Sequence, residues 1–364
     1  MTMRQAITSI FLAFILLALP ISESAEQQQP QPPPPSQQDT QQSQTVIRVP
    51  INLVDILATV LNRRNKLVSD LTKEDFKIID DNVPQEIRFF NRQSDIPLRI
   101  GLLLDTSNSI RDRIKFEQDA AVNFLYTVLR RGKDQAFAMT FDDEPQIVQG
   151  FTGDTGLLRD QVLKTRPGGG TAVYDAIYDA CAKHLSNPPR PAGDQQDVVR
   201  RVMILISDGE DNLSDHTKSD AVEMAQRTGV VIYTISTSIQ WVTTTAEKDC
   251  RATGTCKYHL TEGDKVLQDI AEETGGRSFY PYHVDDLDQS FQDIGDELRN
   301  QYQITYNPSN FVPNGKYHRI KIELPKFNGY QIRARRGYYA RPNGGDAILN
   351  TTPPKPAGTS PTPK

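Results

Sequence analysis

The chain contains 364 residues, of which 37% are hydrophobic and 24% are charged, and it carries a formal net charge of −5 at pH 7. This length predicts about two domains, one of ordinary α/β size and one smaller. The acidic balance excludes the basic surface that is typical of nucleic-acid binding. Because the apolar residues are scarce mainly at the two ends of the sequence, the middle can still bury a substantial core.

The N-terminus has the pattern of an export signal over residues 1–25. Arg4 supplies a positive charge, residues 10–19 form an apolar run, and Ala25 is a small residue at the expected cleavage point. The alternative is an uncleaved membrane anchor, but the apolar run over residues 6–21 is shorter than the ~20 residues of a spanning helix. We therefore predict an exported protein, secreted, periplasmic or at the cell surface, with no transmembrane segment after cleavage. The sequence leaves cleavage and retention of the signal both open.

Two further segments are too polar to bury a core. Residues 26–45 are rich in glutamine and proline, and residues 342–364 contain many prolines and few apolar side chains. We predict a disordered linker and a disordered tail, respectively.

The segments that flank the middle of the chain have β-strand patterns. They occupy residues 46–96 and 301–341, and the first contains a predicted hairpin whose arms, 76–79 and 86–90, are joined through residues 80–84. A hairpin alone is marginally stable in water. We therefore predict that the two flanks pack together into one small β-sandwich around an inserted central domain.

The central domain, residues 97–300, alternates predicted strands and helices. This order is typical of a doubly wound, mostly parallel α/β sheet. The predicted strands are 99–104, 136–141, 146–151, 201–207, 230–236 and 277–280, and the predicted helices are 111–129, 155–164, 172–184, 217–228, 265–274 and 286–302.

Oxygen-bearing side chains follow several of these strands. Asp105, Ser107 and Ser109 come at the end of the first strand, Thr171 follows three glycines, and Asp208 ends another buried strand. The carboxyl ends of parallel strands meet at one edge of the sheet, where such folds bind ligands. Hydroxyl and carboxylate oxygens suit Mg²⁺, or else Mn²⁺ or Ca²⁺. Each residue taken alone could instead be a helix N-cap.

A phosphate-binding loop is a further alternative for the three glycines, residues 168–170. No G-x-x-x-x-G-K-[ST] pattern occurs in the chain, and the residue after the glycines is Thr171 rather than lysine. The metal interpretation is therefore favoured, because it accounts for all three segments together.

The pattern D-x-S-x-S, then T, then D resembles the metal-ion-dependent adhesion site of the von Willebrand factor A (VWA) domains, and all five positions match. The resemblance implies that Ser107, Ser109 and Thr171 contact a divalent cation, and that Asp105 and Asp208 hold it directly or through water. Further segments, at 71–76, 170–176, 207–212 and 273–277, resemble a bacterial group of secreted VWA-related proteins.

By this resemblance the cation captures an acidic side chain of a partner protein. We therefore predict a secreted, metal-dependent protein-binding or adhesion module that is not an enzyme. One alternative is a scaffold in which the metal is only stabilising. Another is a metal-assisted hydrolase. The chain, however, lacks both the G-x-S-x-G motif of a serine nucleophile and the H-E-x-x-H motif of a zinc enzyme.

The three cysteines fall into two groups. Cys250 and Cys256 bracket a short segment that could close as a disulfide loop, and they lie in an insertion over residues 240–262. Cys181 lies in a helical pattern and is predicted to be a buried thiol.

Overall fold

The computed structural model describes residues 53–64, 66–93, 96–189, 199–238, 260–281 and 284–340. The predicted signal peptide, linker and C-terminal tail, and the cysteine pair Cys250 and Cys256, lie outside these residues. Cys181 is described, and it is a buried free thiol as predicted. None of the described helices is long and apolar enough to cross a membrane.

The strands and helices of the described residues are numbered in chain order. The strands are β1 (Val54–Leu61), β2 (Lys77–Asp80), β3 (Val83–Gln85), β4 (Ile87–Gln93), β5 (Leu98–Asp105), β6 (Gln135–Phe141), β7 (Pro145–Thr152), β8 (Arg200–Ser207), β9 (Val230–Ser236), β10 (Ser278–Phe279), β11 (Gln301–Tyr306), β12 (Tyr317–Glu323), β13 (Gln331–Arg333) and β14 (Gly337–Tyr339). The helices are α1 (Ile114–Val128), α2 (Thr155–Val162), α3 (Val173–Asp179), α4 (Lys218–Thr228), α5 (Glu262–Thr274) and α6 (Asp288–Arg299).

The central sheet has six strands in the order β10-β9-β8-β5-β6-β7. All neighbours pair in parallel except the edge strand β7, which is antiparallel to β6. Every residue of β5 is buried, as expected for a parallel strand that is covered by helices on both faces. The prediction of a doubly wound sheet is confirmed.

Two apolar clusters cover the two faces of this sheet. One cluster contains side chains of α1, α2 and α6, including Phe124 and Phe291, whose rings meet edge to face with centroids 5.4 Å apart. The other contains side chains of α3, α4 and α5. The sheet is therefore the middle layer of three, and its carboxyl edge is left for the loops.

Helix ends follow local sequence signals. Thr217 and Thr261 begin α4 and α5 with capping boxes, in which the threonine accepts from a backbone N–H three residues on. Gly229 ends α4 in the left-handed conformation at φ 65°, where glycine has no steric penalty. The predicted start of α4 at Thr217 matches this cap, whereas α5 begins three residues before its predicted start at Lys265.

The flanking strands form two four-stranded antiparallel sheets, ordered β13-β1-β11-β4 and β14-β12-β2-β3. Each sheet contains strands from both ends of the chain: Ile56 of β1 pairs with Ile304 of β11, and Ile78 of β2 pairs with Ile322 of β12. One apolar cluster, including Ile56, Ile78 and Ile304, is shared between the sheets. The predicted β-sandwich built from the two flanks is confirmed.

The predicted hairpin in the first flank is wrong in its pairing. β2 pairs with the short strand β3 through a two-residue turn, Asp81 and Asn82, both with positive φ. β4, which contains most of the predicted second arm, pairs with β11 in the opposite sheet. A two-residue turn with both φ angles positive matches the twist of a hairpin, so the chain reverses before residue 86 and then crosses to the other sheet.

The last central helix ends earlier than predicted. It was expected to continue to residue 302, but α6 ends at Arg299 and β11 begins at Gln301. Asn300 leaves the helix with φ −128° and ψ 60°. The reason is tertiary: Tyr302 is buried in the sandwich core, where its hydroxyl donates to the Val68 carbonyl at 2.9 Å.

Candidate metal centre

Asp105 lies at the carboxyl end of β5, between the neighbouring strands β8 and β6. Its side chain is fully buried. One carboxylate oxygen, Oδ1, accepts from the Ser107 backbone N–H at 2.9 Å, and Oδ2 accepts from the Ser207 hydroxyl at 2.7 Å. Ser207 reaches Asp105 because the register pairs Leu104 with Ile206 on the adjacent strands. The carboxylate is therefore held in a fixed orientation at the sheet edge.

The two predicted serine ligands lie immediately after this carboxylate. Ser107 precedes a short 3₁₀ turn, Asn108–Ile110, and its hydroxyl lies 2.8 Å from that of Ser109. Ser107 is buried, whereas Ser109 is exposed. Together they form a hydroxyl pair that extends from the buried strand end to the surface.

Thr171 lies in the loop before α3, and its side chain is buried. Its backbone N–H donates to the Asn212 side-chain carbonyl at 2.9 Å, and its own carbonyl accepts from the N–H groups of Asn212 and Leu213 at 3.0 and 3.1 Å. These bonds hold the Thr171 loop against the segment that follows Asp208.

Asp208 follows β8 directly, and it is 7% exposed. Its Oδ1 accepts from the Glu210 N–H at 3.2 Å, and its backbone carbonyl accepts from the Ser238 hydroxyl at 3.3 Å. The second oxygen of the carboxylate, Oδ2, is not used in these bonds.

The loops are also bonded to one another. Asn108 donates from its backbone N–H and from its side-chain amide to the Gly169 carbonyl, at 3.2 and 3.0 Å, and the Gly168 N–H donates to the Thr106 carbonyl at 2.7 Å. The serine loop is thus fixed to the glycine loop, and the glycine loop is fixed to the Asp208 loop. All five predicted ligands belong to this bonded set of loops at the carboxyl edge of the sheet.

Buried carboxyl groups cluster beneath the loops. The pKa of Asp105 is raised to about 6, mainly by burial and to a smaller extent by the negative charge of Asp208, whereas hydrogen bonds from Ser107 and Ser207 act in the opposite direction. Glu117 of α1 is also fully buried. Burial and the charges of Asp105 and Asp208 raise the pKa of Glu117 well above its ordinary value.

Glu117 was not among the predicted site residues. Neither of its carboxylate oxygens makes a well-formed hydrogen bond to a described residue, and a buried polar group of this kind is costly. The helical pattern did contain a signal, since residues 117, 120, 121 and 124 share the buried face of α1. A glutamate on an apolar helix face indicates a special environment, here that of Asp105 and Asp208.

The residues fit a hard divalent cation. The donors are hydroxyl and carboxylate oxygens, without nitrogen or sulfur among the five predicted ligands, which is the set that Mg²⁺, Mn²⁺ and Ca²⁺ prefer. Their surroundings include buried carboxylates of raised pKa, Asp105 and Glu117. A bound cation would offset the repulsion among these groups.

In a comparison with known protein families, residues 100–297 match the von Willebrand factor type A domain. The match covers more than half of the chain. The chain belongs to this family. No curated protein sequence matches it. VWA domains are generally interaction modules rather than enzymes.

Three solved structures illustrate what this VWA protein is similar to. BatB from Bacteroides thetaiotaomicron is 19% identical with a TM-score of 0.42, and the match covers 55% of this chain and 98% of that one. A von Willebrand factor type A protein from Catenulispora acidiphila is 11% identical with a TM-score of 0.43, covering 80% and 74%. Proximal thread matrix protein 1 from the mussel byssus, in a structure whose metal-ion-dependent adhesion site (MIDAS) motif is occupied by zinc, is 16% identical with a TM-score of 0.42. That match covers 60% of this chain and 49% of the other.

Other polar residues near the VWA site have structural partners. Asp211 accepts from the Tyr174 N–H at the start of α3 at 3.2 Å, and also from the Ser214 hydroxyl. His216 contacts Asp175 through Nδ1 at 2.6 Å. Glu210 is exposed. Asp211 and His216 therefore contribute to the support of the loops.

Two of the three glycines, Gly168 and Gly170, provide a matched pair of alanine substitutions. A Cβ on Gly170 would lie 2.4 Å from Leu213 Cδ1 and 2.9 Å from Asn212 Oδ1, whereas a Cβ on Gly168 would meet nothing within 4 Å. We expect Gly170→Ala to destabilise the protein by about 1 kcal/mol and to weaken metal binding, because it displaces the loop that carries Thr171. Gly168→Ala should leave both properties close to those of the parent. Urea unfolding and metal calorimetry measure the two effects, and equal behaviour of the variants would contradict this packing.

Proposed function

We propose that this VWA protein is an exported, metal-dependent protein-binding or adhesion module. The proposed ligands of the divalent cation, most simply Mg²⁺ with Mn²⁺ or Ca²⁺ as alternatives, are Asp105, Ser107, Ser109, Thr171 and Asp208. The proposed partner is a protein that offers an acidic side chain to this site. The export pattern of residues 1–25 supports a secreted, periplasmic or cell-surface location.

The observation that carries the proposal is the combination of the hydroxyl donors with buried carboxyl groups at the ends of adjacent strands. Asp105 is fully buried, and its two oxygens are oriented by Ser107 and Ser207. The Ser107 and Ser109 hydroxyls lie 2.8 Å apart, close to the spacing of two oxygens that share one small cation with bonds of about 2.1 Å.

Neutral hydroxyls make up three of the five proposed ligands, which favours binding over hydrolysis. A cation held in this way retains positive charge that a carboxylate from outside can neutralise. Ser109 is exposed, so the site reaches the protein surface. Asp211 and His216 are engaged in supporting contacts, so neither is an obvious general base.

Metal calorimetry on the chelator-treated full chain tests the proposed ligands. We expect saturable Mg²⁺ and Mn²⁺ binding in the parent. Thr171→Ala removes the proposed hydroxyl ligand but keeps the backbone hydrogen bonds of residue 171 to Asn212. It should therefore weaken metal binding roughly tenfold or more, the range found when support of a metal site is lost. Thr171→Ser should restore binding, and Asp208→Asn should weaken it.

The control for that series is Asp160→Asn, which removes an exposed carboxylate paired with Arg159 outside the site. It should bind both metals like the parent. Equal affinities in the parent, Thr171→Ala and Asp208→Asn proteins would contradict the assignment of these ligands.

Capture of a carboxylate can be tested separately with Mn²⁺-loaded protein. The relaxation of water protons reports water that exchanges on bound Mn²⁺. Adding acetate should lower this relaxation in the parent if an external carboxylate displaces that water, and acetamide, which lacks the charge, should have little effect. Equal effects of the two additives would remove the support for capture of an acidic partner.

A further inference from the structure

A second cluster of metal-ligating side chains lies in the β-sandwich, outside the central sheet. Asp80 ends β2, Asp81 begins the tight turn to β3, and His318 is the second residue of β12, the strand that pairs with β2. One ligand atom from each residue can be chosen so that all three atoms lie within 4.8 Å of one another. None of these residues belongs to the candidate metal centre of the VWA sheet.

The distances in this cluster suit metal coordination. His318 Nδ1 lies 3.0 Å from Asp81 Oδ2 and 3.8 Å from Asp80 Oδ1. Tetrahedral metal bonds of 2.0 to 2.2 Å place neighbouring ligand atoms about 3.4 Å apart. The observed spacings lie on either side of that value, so small side-chain movements would bring the atoms to coordination distance.

The Asp80 carboxylate provides an independent indication of a missing partner. Its side chain is 5% exposed. The Oδ2 atom accepts from the hydroxyls of Tyr306 and Tyr338, at 2.8 and 2.9 Å. The Oδ1 atom is buried and accepts no hydrogen bond from a described residue, although it is the atom that faces His318 Nδ1. A buried carboxylate oxygen normally has a partner, so this atom favours a bound ligand.

Asp81 is held so that its Oδ2 atom lies beside His318 Nδ1, as Asp80 Oδ1 does. Its backbone N–H donates to the Arg319 carbonyl at 2.9 Å, and its Oδ1 accepts from the Arg319 N–H at 2.8 Å. The turn at Asp81 and Asn82 has positive φ at both residues, a conformation that Asp and Asn tolerate best after glycine. The Oδ2 atom of Asp81 therefore remains beside the imidazole.

The imidazole of His318 is oriented by packing. It stacks on the Tyr338 ring with a centroid distance of 5.1 Å and an interplanar angle of 19°. Its side chain is 17% exposed. The Nδ1 edge is thereby directed at both aspartates, and the cluster has partial access to solvent through Asp81, whose side chain is 51% exposed.

We propose that Asp80 Oδ1, Asp81 Oδ2 and His318 Nδ1 form a second divalent-metal site, of the zinc class, that fixes the β2–β3 turn to β12. The imidazole nitrogen selects for Zn²⁺ and related transition metals over Mg²⁺. Water would complete the coordination shell, since the described residues supply three ligands. The competing arrangement is an ion pair between a protonated His318 and the two aspartates.

Zinc titration of the full chain separates the two arrangements. The titration is done with Mg²⁺ present in excess, and the number of zinc equivalents is compared among the parent, Asp81→Asn and His318→Gln. Asp81→Asn is the gentler change, because asparagine tolerates the left-handed turn and can keep the acceptor for the Arg319 N–H. The matched control is Glu323→Gln, which removes a partly exposed carboxylate from the same strand as His318.

We expect the parent and the Glu323→Gln protein to bind one zinc equivalent more than the other two variants, or to bind it at least tenfold more tightly. Equal zinc binding in the parent and Asp81→Asn proteins overturns the proposal and leaves the ion pair. Because His318→Gln could unfold, a second readout uses the parent alone: the His318 Nδ1 signal in ¹⁵N spectra should shift with the added zinc equivalent. An unmoved signal also overturns the proposal.

Discussion

In the presence of a chelator, the parent protein should lose about 3 kcal/mol more unfolding free energy than an Asp105→Asn variant as the pH rises from below 3.8 to above 6. The folded-state pKa of Asp105 is about 6, against an ordinary value of 3.8. Each unit of difference is worth about 1.4 kcal/mol. The comparison is made by urea unfolding at a series of pH values.

The loss of stability with rising pH follows from the raised pKa of Asp105. A carboxyl whose folded pKa is raised binds a proton more tightly in the folded protein than in the unfolded chain. Its contribution to stability is therefore fully present below the unfolded pKa, and it is lost as the pH rises through the folded pKa. Burial is the main cause, because it disfavours the charged carboxylate.

Saturating Mg²⁺ should reverse this loss in the parent but not in the variant. Binding to the folded protein alone adds stability that grows with metal concentration, and a bound cation favours the ionised carboxylate. Asparagine can keep the acceptor for the Ser107 N–H, so the variant mainly removes the charge. Parallel pH curves for the two proteins in chelator would show that the buried charge of Asp105 has no cost to stability.

The sequence predicts the central sheet well because its signals are local. Strands such as β5 are continuously apolar, and the alternation with helices leaves few topologies. The sequence also singles out the five oxygen side chains as candidate ligands, because they lie at or shortly after the end of a strand or after a glycine loop. Their placement depends on a set of hydrogen bonds between loops, such as the two that Thr171 makes with the backbone and the side chain of Asn212.

The remaining features depend on contacts between distant residues. The Ser207 hydroxyl orients Asp105, although the two residues are 102 positions apart in the chain. The crossing of β4 to the second sheet depends on its pairing with β11, more than 200 residues later. Asp80 and His318 approach each other only because β2 pairs with β12. No periodicity within a single segment encodes such pairings.

Alanine at Gly263 should both destabilise the protein, by about 2 kcal/mol, and weaken Mg²⁺ binding roughly tenfold. Gly263 is the second residue of α5, and a Cβ there would lie 2.1 Å from the Asp208 carbonyl oxygen. Backbone atoms cannot turn aside as a flexible side chain can, so the helix and the Asp208 loop must separate. Overpacking of this kind typically costs 1 to 3 kcal/mol.

The effect on metal binding follows from the position of the clash. Gly209, next to Asp208, has φ +79°, and a Cβ there would lie 2.3 Å from the Gly263 carbonyl oxygen. The two glycines therefore allow the backbones of α5 and the Asp208 loop to pack directly on each other. We expect a displacement of this contact to move Asp208 relative to Asp105, whose carboxylate is oriented by Ser207 at the end of β8.

Gly156→Ala is the matched control, because Gly156 is also the second residue of a helix, α2. A Cβ on Gly156 would meet only a side-chain atom, Asp154 Oδ1, at 3.1 Å, and alanine has the higher helix propensity. This variant should unfold and bind Mg²⁺ much like the parent. If Gly263→Ala behaved in the same way, α5 would not support the Asp208 loop. If it lost stability but kept its Mg²⁺ affinity, the clash would be absorbed by α5 and the position of Asp208 would be set by β8 alone.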